Sequence, residues 1–590
     1  MAIKRKTCGG ITSYAITVVA ATALNLLLAG AVPAFEAPGQ GKGEWLSGDF
    51  HQHTTYTDGS TSFDFVMMKN AQFGLDWWAN SEHGGGQTRD GNGQFWDNPA
   101  VYPVNPIKGD VATSGGHQVM WRWQSLRDFV FPDILDTRAL YPHKRIFSGL
   151  EWNVPGHEHC STGIVARDAS AISAFEYQFD KSDNDLSRNG EVTPYGILEK
   201  TNGSIYTVDN GVKKVTGKPN SEKHLDSVAA CSWMEKVYRD HLIDNGWIVF
   251  AHVERAGAWN PTNGGGYNVE HFRDYNNAGP DVCFGFEGAP GHQVNAFRGL
   301  GNTVTCDAAG VCTSKDFGGT YGGVGFYTAK VGGLWDALLG EGRRWFNFAS
   351  SDYHAHWTAD GDDFYPGEYQ KDWVYVQDTD DGHGHRFDRR HFKNSGHSLN
   401  EIADALRSGT SFYVMGDLID HLDFTAQSRD QLVPMGGELR SKKAVKDLEL
   451  TIKFKGPVVN NHGDVPAVDH IDLIAGDITG KIDPSSPDYA KATNDSTQVI
   501  ASFSPADWKL NKDGYYVINY RIKNLDKSKY FRLRGTNLAC GTPNQTGLAT
   551  ALPSSDYCSP LPDALMGPND AQKAFADLWF YSNPIFVYVK

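Results

Sequence analysis

Short apolar runs that meet His, Asp or Glu at one end recur through the first two thirds of this 590-residue chain. GDFHQHTTYTDG carries His51 and His53, with Asp58 following. LDWWANSEHGG ends on Glu82-His83, IFSGLEWN on Glu151, WIVFAHVE on His252, and WFNFASSDYHAHW on Asp352 and His354. PGHEHCSTGIV places His157 and His159 at the start of another run. Residues two apart in a strand share a face, so His51 and His53 aim their imidazoles into one volume. A capped turn or a surface polar residue explains any one of these ends. Together they constrain the fold: strands must bring their polar ends to one place, as the C-terminal ends of barrel strands do.

The pattern around these runs alternates between strand and helix from about 44 to 420. RIFSGLEW, WIVFAHV and WFNFASSD read as strands. SFDFVMMKNAQFG and SLNEIADALRSG read as helices, the second with Ser398 as N-cap, Glu401 completing a capping box and Gly409 ending it. This alternation predicts an α/β fold, with a barrel as one form. Polar stretches at 84–118, 180–222 and 256–280 read as surface loops. From 421 to 590, LELTIKFKG, HIDLIAGDI, QVIASFS, GYYVINYRIK, YFRLRGT and PIFVYVK read as strands parted by turns, which predicts a C-terminal β-sandwich module.

Residues 1–34 read as a signal peptide: Lys4, Arg5 and Lys6, then an uncharged apolar run, then Val32-Pro33-Ala34 as a cleavage site. The run is also long enough for a membrane anchor. Cleavage implies a periplasmic or secreted protein with no membrane contact afterwards. The formal charge of −16 falls to near −19 once the three basic leader residues are gone. So acidic a chain disfavours a nucleic acid partner. A small phosphate ester stays possible, because bound metal inverts the local field. In an exported protein the cysteines are disulfide candidates, with Cys306–Cys312, Cys540–Cys558 and Cys231–Cys283 as pairings.

HxH with a following Asp, a single His, Glu, His, His and DxH, in that order, resembles the polymerase and histidinol phosphatase (PHP) domain. The resemblance covers residues 46 to about 418, including ALRSGTSFYVMGDLI. LWFYSNPIFVYV is similar to the tail of exported carbamate-hydrolase-like members. The resemblance implies a distorted (β/α)7 barrel and two or three divalent ions, Zn, Mn or Fe fitting the mixed ligand set. Carried over, His51 and His53 bind one metal with Asp352. Glu151 bridges to a second, held by His159 and His252, and Asp58, His83 and His354 hold or border a third. Either His157 or His159 is the ligand, with His159 favoured because it abuts the strand STGIV. Glu82-His83 departs from the family's usual Asp-His.

The implied chemistry is an exported hydrolase using a metal-activated hydroxide to cleave phosphoester bonds. Carboxylic ester or carbamate cleavage, and a non-catalytic metal-containing binding protein, are the alternatives. His354 or His83 could protonate the leaving group. Arg255 could contact a substrate anion, or pair with Glu254 or another acid. Glu287 could face the pocket, and His356 is expected on the exposed rim. Trp77, Trp78, Trp152, Tyr353 and Trp357 are expected as core or wall, with a leaving-group pocket as the alternative. The substrate expected is a small-molecule ester, and the oligomeric state is left open.

Overall fold

The computed structural model describes residues 43–262, 264–294, 322–377, 398–539 and 571–590, together with the backbone of 304–306 and 312–314. The leader and the Cys540–Cys558 pairing lie outside them. Among the described residues, no helix is long and apolar enough to cross a membrane.

Among the described residues the fold is mixed α/β, built on a fifteen-stranded sheet. Its first nine strands are β1 (Gly43–Asp49), β2 (Trp77–Asn80), β3 (Arg145–Asn153), β4 (His159–Val165), β5 (Asn245–Phe250), β6 (Gly285–Ala289), β7 (Phe346–Ala349), β8 (Gln370–Gln377) and β9 (Ser411–Met415). They lie in the order β7-β6-β5-β4-β3-β2-β1-β8-β9. All nine residues of β3 are buried, as befits a strand covered on both faces.

The order alone does not show how strongly the sheet curls. Phe50, just after β1, meets Phe348 of β7 at 5.0 Å and Trp247 of β5 at 5.7 Å between ring centroids. Trp77 of β2 and Phe147 of β3 join the same interior cluster. Side chains from across the path therefore meet in one apolar core. Gly48 is a condition of this packing, since a Cβ there would fall 1.9 Å from the Trp77 ring.

Strands β1, β2 and β3 are parallel neighbours, as are β5, β6 and β7. Strand β4 runs antiparallel to both β3 and β5. Its first residue, His159, therefore lies beside Asn153 at the end of β3. This is why a strand start joins the strand ends in the sequence pattern.

The helices used below are α1 (Phe63–Gln72), α2 (Asn220–Arg239), α3 (Val269–Ala278), α4 (Leu334–Gly340) and α5 (Leu399–Ser408). The stretches expected as loops are more structured: 192–197 and 204–217 form small ribbons, and 256–280 contains α3.

The later strands are β10 (His421–Ser428), β11 (Val445–Lys455), β12 (His470–Asp477), β13 (Gln498–Phe503), β14 (Tyr516–Leu525), β15 (Lys529–Thr536), β16 (Trp579–Ser582) and β17 (Ile585–Val589). The large sheet runs on as β9-β16-β15-β12-β13, so it crosses residue 420 without a break. A separate five-stranded sheet holds β10, β11 and β14. Phe424, Leu450 and Ile518 of that sheet share an apolar cluster with Leu473, Leu533 and Phe580 of the large one.

Cys231 and Cys283 are free thiols, contrary to the pairing expected from sequence. They lie with Cys160 inside the core, where a thiol packs as a small apolar group. Burial pushes the Cys283 thiol well up, which keeps it protonated. Cys306 and Cys312 are cross-strand partners in a two-stranded ribbon.

Candidate metal centre

The hydroxyl-rich segment after β1 is ordered by Glu82. This carboxylate is fully buried and accepts from the Thr54 amide at 3.2 Å, the Thr54 and Thr57 hydroxyls, and Asn80 Nδ2 at 3.0 Å. Glu82 thus anchors the turn that presents His53 and Asp58.

His51 Nε2 and His53 Nε2 face each other at 3.1 Å. Glu151 Oε2 lies 3.3 and 3.1 Å from them, and Asp352 Oδ1 lies 3.2 Å from both. The other Glu151 oxygen, Oε1, faces His159 Nδ1 at 2.6 Å and His252 Nε2 at 3.2 Å. His252 Nε2 is also 3.2 Å from Asp352 Oδ2. His83 Nδ1 is 2.9 Å from Glu151 Oε2. Asp58 lies 3.4 Å from His53 Nδ1, His83 Nε2 and His354 Nε2.

These atoms form overlapping groups that could each hold a metal ion: His51-Glu151-His252-Asp352, His83-Glu151-His159, His53-Asp58-His83-His354 and His292-Asp352-His354. The distances also bring together the sets carried over from the resemblance, His51 and His53 around Asp352 Oδ1, and His159 and His252 around Glu151 Oε1. His252 lies in addition beside Asp352, and His83 beside Glu151. His159 reaches the cluster, whereas His157 turns away to the Gly266 carbonyl at 3.0 Å.

The donor chemistry fits divalent ions. Glu151 Oε2, both Asp352 carboxylate oxygens and His83 Nδ1 are buried and make no hydrogen bond, despite polar neighbours at 2.8–3.3 Å. Facing histidine nitrogens and unsatisfied carboxylate oxygens are what a shared cation resolves. The charge states of Glu151, Asp352 and His252 act in the same direction. Burial works to raise Glu151 and Asp352, but the surrounding histidines hold both carboxyls well below their usual range. Burial and the nearby Arg255 push His252 down to about 3, leaving a neutral imidazole. Burial opposes protonation of His83, yet the Glu151 charge and the Asp58 bond raise it to about 10.

Outer contacts hold the inner ones in place. Glu287 lies 3.3 Å from His51 Nδ1 and accepts from Ser161 and Ser350 hydroxyls at 2.7 and 2.6 Å. It is fully buried behind His51. Asp49, raised to about 6 by burial, accepts the His51 amide at 3.0 Å. His354 Nδ1 faces the Asp352 carbonyl at 2.8 Å. His252, Asp352 and His292 all adopt positive φ, at 52°, 44° and 57°. Such backbone costs on the order of 1–3 kcal/mol per residue and clusters at functional sites.

Two participants escape sequence reasoning. His292 lies 2.8 Å from Asp352 Oδ2 and 2.7 Å from Asp363. Asp363 also accepts the His354 and Ala355 amides at 2.6 and 3.0 Å. GAPGHQ after β6 did carry a signal, a His in a loop at the polar edge. Asp363 had none.

Arg255 pairs with Glu158 at 3.0 Å and lies 3.4 Å from His159 Nδ1. Its neighbour Glu254 instead accepts the Phe326 amide at 2.7 Å and the Tyr327 amide. His356 is buried, contrary to the rim position expected, because Glu368 binds its Nε2 at 3.0 Å. Trp77, Trp78, Trp152 and Tyr353 are fully buried, which leaves Trp357 as the one partly exposed member of that set.

No family model matches the chain, and no curated protein matches it. Among solved structures it is similar to a two-domain protein containing a predicted PHP-like metal-dependent phosphoesterase from Bacteroides vulgatus ATCC 8482. The two are 11% identical with a TM-score of 0.30, over 86% of this chain and 93% of that one. A likeness this low carries neither fold nor activity from one to the other.

Proposed function

We propose that the chain is an exported, metal-dependent hydrolase of the PHP type that cleaves phosphoester bonds in small molecules. The observation that carries this reading is Glu151. Its two oxygens face different sets of histidines, Oε2 toward His51, His53 and His83, and Oε1 toward His159 and His252. That is the arrangement of a carboxylate bridging two cations. The curl from β1 to β7 supports a distorted (β/α)7 barrel, and the shared core of the two later sheets supports a β-sandwich.

Divalent ions bound there, as Zn, Mn or Fe, would supply Lewis acidity and an activated water. The chain's own residues set the direction of approach. His51, Glu151, His252 and Asp352 are buried, whereas the Asp58 side chain is 52% exposed and that of His354 24%. Substrate therefore meets the site from the Asp58–His354 side. His354 and His83 sit on that rim and are placed to give a proton to the leaving group. Arg255, held by Glu158, orients His159.

Metal content and turnover of wild type and His51→Ala test the reading together, with a bis-aryl phosphate and an aryl carboxylic ester as substrates. Two or more metals per chain, with both metal and phosphate ester cleavage lost in the variant, are expected. Preferred cleavage of the carboxylic ester would move the assignment to an esterase. A metal-free, inactive wild type would overturn it.

A further inference from the structure

The rim that admits substrate does not end at His83. Ring centroids of His354 and His83 are 6.2 Å apart, and those of His83 and His159 are 4.9 Å apart. His159, Arg255 and Glu158 follow in turn, all partly exposed. Arg255 lies 3.4 Å from His159 Nδ1 and 3.0 Å from Glu158. Glu158 also lines a cavity of about 450 Å³, walled by the turn between β3 and β4, the 204–217 ribbon and the start of α2.

The charge of this cavity is unlike that of the chain. The formal net charge is −16, yet the charged side chains in the wall are Lys181, Lys223 and Glu158. Arg255 already neutralises Glu158. Lys200 and Lys218, which flank the ribbon, are paired with Asp183 and Asp226 at 2.9 and 2.6 Å. Among the described residues, neither Lys181 nor Lys223 has a carboxylate within 4.0 Å. Lys181 Nζ gives one bond to the His157 carbonyl at 2.7 Å, which leaves two of its three donors. Burial pushes the Lys181 ammonium below its ordinary value, although Glu158, Asp180 and Glu151 hold it up. An anion beside it would restore what burial takes. Glycines let Lys223 come close: a Cβ on Gly156 or Gly203 would meet its stem at 3.0 Å. Asn220 opens α2, so the positive end of a helix of 20 residues adds to the same field.

We propose that this cavity binds a second anionic group of the substrate, so that the ester cleaved at the Glu151 cluster carries a charged arm besides the bond that breaks. The inference rests on the hydrolase reading and narrows its substrate class. Two ammonium groups short of carboxylates suit a phosphate-like or carboxylate arm, which lysine meets as a point charge. About 450 Å³ is within the range of small-ligand pockets. Arg255 and Glu158 stand between the two places, one residue pair from metal ligand to pocket wall.

Two measurements on the full chain test this. The first is titration calorimetry with inorganic sulfate. Binding should survive in His51→Ala, which removes the metal centre as its seat. It should weaken by about tenfold or more in Lys223→Ala and in Lys181→Ala, and be retained in Lys223→Arg. No binding by wild type, loss of binding in His51→Ala, or unchanged binding in both alanine variants would overturn the proposal. The second is the KM of a bis-aryl phosphate against that of the same ester bearing a carboxylate or a phosphonate arm. Wild type should favour an armed ester by about tenfold, and Lys223→Ala should lose that preference with the plain ester unchanged. Equal KM values in a wild type that turns over all three would overturn the substrate role. A wild type inactive on every ester would end the hydrolase reading instead, and the sulfate titration would still decide whether the cavity takes an anion.

Discussion

At the scale of single residues, the ligands and the groups behind them should separate by the size of their effects. His51→Ala is expected to lower turnover by more than the roughly 10–100-fold typical of an outer partner, with metal lost in parallel. Asp363→Asn touches no inner carboxylate, but it loosens His292 and the His354 backbone. It should fall within that 10–100-fold range, read as metal affinity by titration. Glu254 makes a different prediction. Burial raises its carboxyl to about 7, against two amide bonds that lower it. The folded state holds this proton more tightly than the unfolded chain, so its contribution to stability is full below about pH 4.5 and lost as pH rises through 7. The difference is worth about 3 kcal/mol. Glu254→Gln should flatten that part of the pH dependence of denaturant unfolding, and an unchanged slope would remove Glu254 as its source. The inner residues were legible because strand periodicity places alternate side chains on one face. Which oxygen of Glu151 each ring meets was not legible, since that depends on side-chain rotation that spacing does not set. Asp363 reaches the site through a fold-back of 353–363 that no short pattern announces.

At the scale of elements, α5 is the clearest case of local chemistry deciding structure. Ser398 accepts the Glu401 amide at 3.2 Å, Glu401 returns a bond to the Ser398 amide at 2.7 Å, and Gly409 closes the helix at φ 75°. All three were readable in SLNEIADALRSG. Ser398→Ala should cost about 1 kcal/mol. Gly409→Ala should cost more, because its Cβ meets the Phe346 ring at 2.2 Å as well as the left-handed backbone. Thermal unfolding of both variants gives the ranking, and a Gly409→Ala protein as stable as wild type would contradict it. Strand direction was less legible. An apolar run reads the same in either orientation, so the antiparallel β4 appeared only as ligands at a strand's start.

At the scale of the whole molecule, the later strands are tied to the earlier part by more than apolar packing. Arg532 of β15 makes a two-point bond to Asp336 of α4, both contacts 2.8 Å and both side chains fully buried. Removing either partner leaves a buried charge and should cost about 3–5 kcal/mol, with the double variant costing less than the sum. Calorimetry should show one cooperative transition for the described fold, since the sheet runs from β9 into β16; two well-separated transitions would show that the parts melt independently. The texture change near 420 was visible in the sequence. The sheet crossing it was not, because strand partners so far apart leave no local trace.

That partnership has a cost in time. Strand β9 waits for β16, made about 160 residues later, before its free edge is covered. Pairings of such long range are slow to form, and an uncovered edge strand invites pairing with other chains meanwhile. Refolding from denaturant should therefore be slow and concentration-sensitive, and a holding chaperone should raise its yield more than its rate.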